Sequence, residues 1–131
     1  MVIIAAVCFS SMGAVATETQ QEVEFEPIVP FFTHMIAADH NLQSFAGGRL
    51  GIFGATQVRP GFVGVVIVEL QQNGRTIQTW SATGGTQASV SRDHFVPSGH
   101  QYRLRLTHQA RNSSGQVLES HVFYSRTVTV N

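Results

Sequence analysis

The chain has 131 residues, 43% of them hydrophobic, and its eight basic residues, all arginine, balance eight carboxylates. That length and apolar content suit one domain with a substantial core and require no second one. Glu18, Glu22, Glu24 and Glu26 cluster near the start, so from Pro27 onward eight arginines meet only Asp39, Glu69, Asp93 and Glu119, a mild excess too sparse for the dense basic stripe that nucleic acid requires.

Residues 1–16 read as a signal peptide: an apolar run from Val2 to Phe9 precedes small residues ending Ala14-Val15-Ala16, although no basic residue leads the run. The run is too short to span a bilayer. Val7 stands before Cys8 where a lipid-attachment motif takes a small residue, so no membrane association is expected after cleavage and the chain is expected to be secreted. Cleavage after Ala16 removes the one cysteine, and with it any disulfide or thiol nucleophile. Residues 17–30, acidic and closed by Pro27 and Pro30, read as a disordered linker. The folded domain is expected over 31–131.

Within it, Met35 to Phe45 reads as a first, irregular strand, Ala46-Gly47-Gly48 as a turn and Arg49 to Val58 as a second strand, with Gly51 and Gly54 marking a bulge or a close backbone approach. Pro60-Gly61 leads into Gly61 to Trp80, two apolar strands about Asn73-Gly74, a pair that tolerates the positive φ of a type I′ turn. A two-residue loop sets Leu70 opposite Ile77 and Ile67 opposite Trp80. A three-residue loop with Gly74 in a left-handed bulge sets Val66 opposite Trp80, which then closes the core; this second register is the expectation. In both, Val65 and Ile67 face outward. Gln87 to Val96 is the next strand, and Pro97-Ser98-Gly99 turns it into His100 to His108, where Tyr102, Leu104 and Leu106 alternate with Arg103, Arg105 and Thr107. Arg111 to Gly115 is a polar loop in which Asn112-Ser113-Ser114, an N-glycosylation pattern, reads as turn chemistry, and Val117 to Val130 is one last long strand. With no helical window between them, these segments specify an all-β sandwich of about seven antiparallel strands.

Gly99-His100-Gln101-Tyr102-Arg103-Leu104 resembles the tyrosine corner of immunoglobulin-like and fibronectin-III-like sandwiches. The order of Val66 to Gln71, Ile77-Gln78-Thr79-Trp80, Val90-Ser91 and Ser98 to Leu104 resembles a family of small secreted proteins of Gram-positive bacteria, from about Phe31 to the end. The resemblance implies a signal peptide and an immunoglobulin-like sandwich, and carries no activity or catalytic residue to transfer. The weak start of the signal segment and the use of Arg where relatives tend to carry Lys depart from it.

Six histidines invite a metal reading, since His108 faces His121 if the last loop turns about Ser114-Gly115, and such a pair could take Zn or Cu. A structural site wants four ligands, so surface or loop histidines without metal are expected, and no cofactor. Ser89, Ser91, Asp93 and His94 are close in sequence only, and a triad is assembled from separate elements. Glu69 and Glu119 are expected to pair with strand arginines rather than to oppose each other as a hydrolase requires. Arg103, Arg105, Arg111 and Arg126 suggest a shallow patch for an anionic cell-wall polymer or glycan, or a solvated face that discourages edge pairing. The expectation is a non-enzymatic secreted module that binds a polymer, glycan or protein, or has a structural role. The alternative is a subunit of an extracellular assembly, self-associating by strand pairing through the last strand or the residues before Pro30. A small hydrolase or metal-binding protein is the lesser alternative.

Overall fold

A computed structural model describes residues 32–131; the expected signal segment, the acidic linker and Phe31 lie outside the described residues. Eight strands follow in order: β1 Met35–Phe45, β2 Arg49–Val58, β3 Val63–Gln72, β4 Arg75–Gly84, β5 Gln87–Phe95, β6 His100–Arg111, β7 Val117–Tyr124 and β8 Val128–Val130. Among the described residues no α-helix occurs and none crosses a membrane as one. The strands form two antiparallel sheets, ordered β1-β2-β5 and β4-β3-β6-β7, with β8 pairing β6 beyond the end of β7. A 3-10 turn at Ala46–Gly48 joins β1 to β2.

Period-two alternation decides which side chains meet between the sheets. Leu42 on β1, Leu50 and Ile52 on β2, Val66, Val68 and Leu70 on β3, Val90 on β5 and Tyr102, Leu104 and Leu106 on β6 form one buried cluster. Met35, Ala38, Val58 and Ala110 form a second at the end where the chain enters, packed with Phe32, Phe62 and Phe123. The sheets pack tightly at Gly54, where an added Cβ would lie 2.8 Å from Leu106 Cδ2 and 2.9 Å from Val68 Cγ2. Gly51 has a different use on the outer face. The Phe45 ring lies across it, and the Arg49 guanidinium covers that ring at 4.1 Å, an aromatic packed over a strand glycine with a cation above.

The central hairpin takes neither expected register. Asn73 and Gly74 do form a two-residue turn with φ of 51° and 87°, closed by Gln72 opposite Arg75. The extra residue is Ile77, which bulges out of β4 between the pairs Gln71–Thr76 and Leu70–Gln78. Trp80 therefore faces Val68, not Val66 or Ile67. It packs against the main core as expected, half-buried at its margin, with His94 edge-on at 5.5 Å. Val65 keeps its outward place between Thr83 and Gln109 but is almost fully buried there.

Two other expectations need correction. The strand from His100 runs on to Arg111. The final strand is broken after Tyr124, where Ser125 exchanges backbone and side-chain bonds with Leu104: its N–H donates to the Leu104 carbonyl at 2.9 Å, its Oγ accepts from the Leu104 N–H at 2.8 Å, and that hydroxyl donates to the Arg126 carbonyl. A side chain that supplies the ladder's acceptor interrupts the regular pairing. The turn into β6 is fixed by Tyr102, whose hydroxyl donates to the Pro97 carbonyl at 2.8 Å.

Candidate functional site

The four arginines singled out by sequence do not converge. Arg103, Arg105 and Arg111 follow the outward alternation of β6. Arg105 is matched by Glu69 at 2.8 Å, Arg103 donates to Gln71 and lies over the Tyr124 ring at 4.3 Å, and Arg111 donates twice to Gln109. Arg126 reaches instead to the other sheet and donates to the Leu42 carbonyl of β1 at 2.8 Å. The Ser/Asp/His stretch is also divided: Ser89, Ser91 and Asp93 lie on the exposed face of β5, whereas His94 points to the opposite face, against Trp80. Asn112 Oδ1 accepts from Ser114 N, Ser114 Oγ and Gln116 N, closing the β6–β7 turn as its composition suggested.

The histidines depart most from expectation. His40 on β1 and His108 on β6 are fully buried rather than exposed. With buried Thr56 on β2 they lie where the two apolar clusters meet: His40 stands opposite Gly54, Thr56 opposite Ala38 and His108 opposite Val66, and each is flanked two residues away along its strand by buried residues. The Thr56 hydroxyl donates to the Val65 carbonyl at 2.9 Å, so its oxygen accepts from His108 Nδ1 at 2.7 Å, and the imidazole carries its proton on Nδ1. Nε2 is then a buried lone pair with no hydrogen-bond partner among the described residues. Burial pushes His40 down to about 4. It pushes His108 further, to about 3, with the nearby His40 and His121 adding to the effect. His108 does stand opposite His121 in register. His108 Nδ1 is taken by Thr56 and His121 Nε2 by Glu119, and among the described residues no group of three or more His, Cys, Asp or Glu could hold a metal ion.

His121 donates from Nε2 to Glu119 Oε2 at 2.7 Å. That carboxylate, expected to meet an arginine, instead gathers the first of the described residues: Oε1 accepts from the N–H groups of Thr33, His34 and Met35 at 3.2, 2.6 and 3.1 Å. Burial alone would raise the Glu119 pKa, but the bonds from His121 and from these three N–H groups outweigh it and hold the carboxyl below the usual range. The Phe32 ring packs tilted against His121 at 4.8 Å and His34 tilted against Phe62 at 4.7 Å, which lines this end with aromatic rings.

On the far side of β7 no strand pairs among the described residues. This edge presents Val117, Leu118, Val122 and Tyr124, each 38–46% exposed. The opposite edge, β4, carries Arg75, Thr76, Gln78, Thr79, Ser81 and Thr83, with Ile77 as its one large exposed apolar residue. Unpaired backbone beside an apolar row is what strand addition uses, and polar edges discourage it. The sequence contained this row within its last strand, but the break at Ser125 and the edge position are set by pairing across the sheet. The buried polar residues had one sequence signal, in that His108 continues the inward phase of Tyr102, Leu104 and Leu106.

No protein-family model, no curated protein and no solved structure matches the chain.

Proposed function

We propose that this chain is a non-enzymatic, secreted β-sandwich of the immunoglobulin or fibronectin-III kind that binds a protein partner by strand addition along β7. The sandwich type is supported by the strand order β1-β2-β5 over β4-β3-β6-β7 and by the Tyr102 corner. Secretion rests on the pattern of residues 1–16. The observation that carries the binding reading is the unpaired β7 edge, whose outer face carries half-exposed Leu118, Val122 and Tyr124 with Ser120 between them, and which begins at exposed Val117. A protein partner is favoured over an anionic polymer because Glu69 neutralises Arg105 and Arg126 is turned to the Leu42 carbonyl of β1, so the four arginines present no converging patch.

The partner in the second reading is another copy of the chain, forming an assembly through the same edge. Selection of extended peptides from a displayed random library against the immobilised chain tests the first reading. Peptides with alternating apolar residues should emerge, and Val122→Lys together with Tyr124→Lys should abolish their binding. Recovery of no such peptide, or binding indifferent to both substitutions, would refute it. Sedimentation equilibrium on the same protein separates the second reading, which predicts concentration-dependent association lost in the same variant.

A further inference from the structure

β1 and β7 share one margin of the sandwich, and two side chains fix how they lie there. Glu119, near the start of β7, accepts from the N–H groups of Thr33, His34 and Met35 where β1 begins. Arg126, just past the end of β7, donates to the carbonyl of Leu42, well along β1. The two strands therefore run in the same direction, and the chain reaches Phe32 beside Glu119 and His121, with its ring 4.8 Å from the imidazole. Chain that precedes Phe32 and lies along the edge of β7 must then run antiparallel to that strand, the pairing a short connection permits. Residues 27–31 supply the connection, with Pro27 and Pro30 where no ladder bond is needed. Five residues reach about 17 Å, enough to pass from the level of β1 to the edge of a sheet about 10 Å away. Among the described residues nothing pairs with that edge.

Residues 18–26 contain neither Pro nor Gly and number nine against the eight of β7. In an extended chain Val23 and Phe25 fall on one side and Glu22, Glu24 and Glu26 on the other. The two faces of β7 match that alternation. Its inner side carries half-buried Glu119, His121 and Phe123 beside Phe32, and its outer side uncharged Leu118, Ser120, Val122 and Tyr124. With Val23 and Phe25 inward, the apolar side chains meet those rings. The three carboxylates then turn away from Glu119 toward the outer face of β6, where Arg103, Arg105 and Arg111 face one carboxylate, Glu69 on β3. The reverse facing sets three carboxylates on the side of Glu119, which like charges disfavour. Over the whole chain, the four carboxylates before Pro27 match the excess of eight arginines over four carboxylates that follows.

We propose that residues 18–26 add to β7 of their own chain as an antiparallel strand, a strap that covers the edge until a partner displaces it. As regulation of the β7 site the strap rests on the strand-addition reading; the pairing itself does not. The tether supplies an effective concentration of about millimolar order, so two apolar anchors suffice to cover the edge, and a partner with more anchors still displaces them. The neighbouring edge of β1 is the poorer site, because Arg126 already occupies its Leu42 carbonyl.

Amide hydrogen exchange on the full chain without a partner, compared with Val23→Asp together with Phe25→Asp, tests the strap. Amides of β7 that point away from β6 should be protected in the parent to the same degree at every chain concentration, and should lose that protection by about tenfold in the variant. Unchanged exchange at Leu70 and Leu104 in the core shows that the variant is folded. Peptides selected on β7 should bind the variant about tenfold more tightly, since a covered edge lowers apparent affinity by the fraction left uncovered. An unprotected β7 edge in the parent overturns the proposal whatever the variant does. Protection that appears only as the concentration rises belongs to a second copy's segment and also overturns it, as does protection lost at β1 or β4 in place of β7. Peptides that bind both chains alike, with β7 exchange unchanged, would remove the strap and leave the β7 site standing. A variant that exposes the edge yet captures no peptide would keep the strap and refute the site.

Discussion

Gly54 shows how narrowly a single residue is constrained where the sheets touch. A methyl there would press on Leu106 Cδ2 and Val68 Cγ2, both fully buried, so Gly54→Ala should cost about 1–3 kcal/mol, read as a lower urea midpoint with an unchanged slope. Tyr102→Phe removes one hydroxyl from its bond to Pro97 and leaves a carbonyl without its partner; about 0.5–1.5 kcal/mol should be lost in the same measurement. Both positions carried a signal in the sequence, Gly54 as a glycine inside a strand and Tyr102 as an aromatic just after a Pro-Ser-Gly turn, because both signals are local properties. Glu119 was not. Its bonds to Thr33, His34 and Met35 join residues more than eighty positions apart, and nothing near Glu119 in the sequence distinguishes it from a carboxylate awaiting an arginine.

At the scale of elements, alternation located β1 to β6 closely, while pairing partners and registers escaped it. The Asn73-Gly74 turn was readable from its residue types, and Gly74→Ala, at φ 87° in open space, should destabilise the hairpin by about 1 kcal/mol through backbone strain alone. The bulge at Ile77 was not readable. Both strands offer apolar residues at either register, and the pairing that places Trp80 opposite Val68 depends on the face β3 buries against the other sheet. The same reasoning explains β7: the alternating Leu118, Val122 and Tyr124 look like core until the sheet order leaves their strand outermost.

For the whole molecule, the buried histidines set the response to pH. Both titrate lower in the folded chain than in the unfolded one, where imidazoles sit near 6.5. Below that range the unfolded chain takes up protons that the folded chain refuses. Stability is therefore complete above about pH 6.5 and falls by about 1.4 kcal/mol per pH unit for each ring as the pH drops toward the folded values near 4 and 3. Glu119 has the opposite kind of shift, a lowered carboxylate. Its contribution is present above the ordinary carboxylate range and is lost as the pH falls through its folded value, so it steepens the decline only at the acid end. Urea midpoints measured at intervals between about pH 7 and about pH 4 should fall throughout, and a flat profile would contradict the buried, neutral imidazoles. This loss is a large fraction of the 5–15 kcal/mol that holds a domain of this size together.

The binding account rests on β7, and amide hydrogen exchange on the chain saturated with a selected peptide tests it most directly. Strand addition donates new backbone hydrogen bonds to the open edge, so amides between Val117 and Tyr124 that point away from β6 should gain protection, with little change along β4. Protection gained on β4 or on β5, with β7 unchanged, would contradict the account.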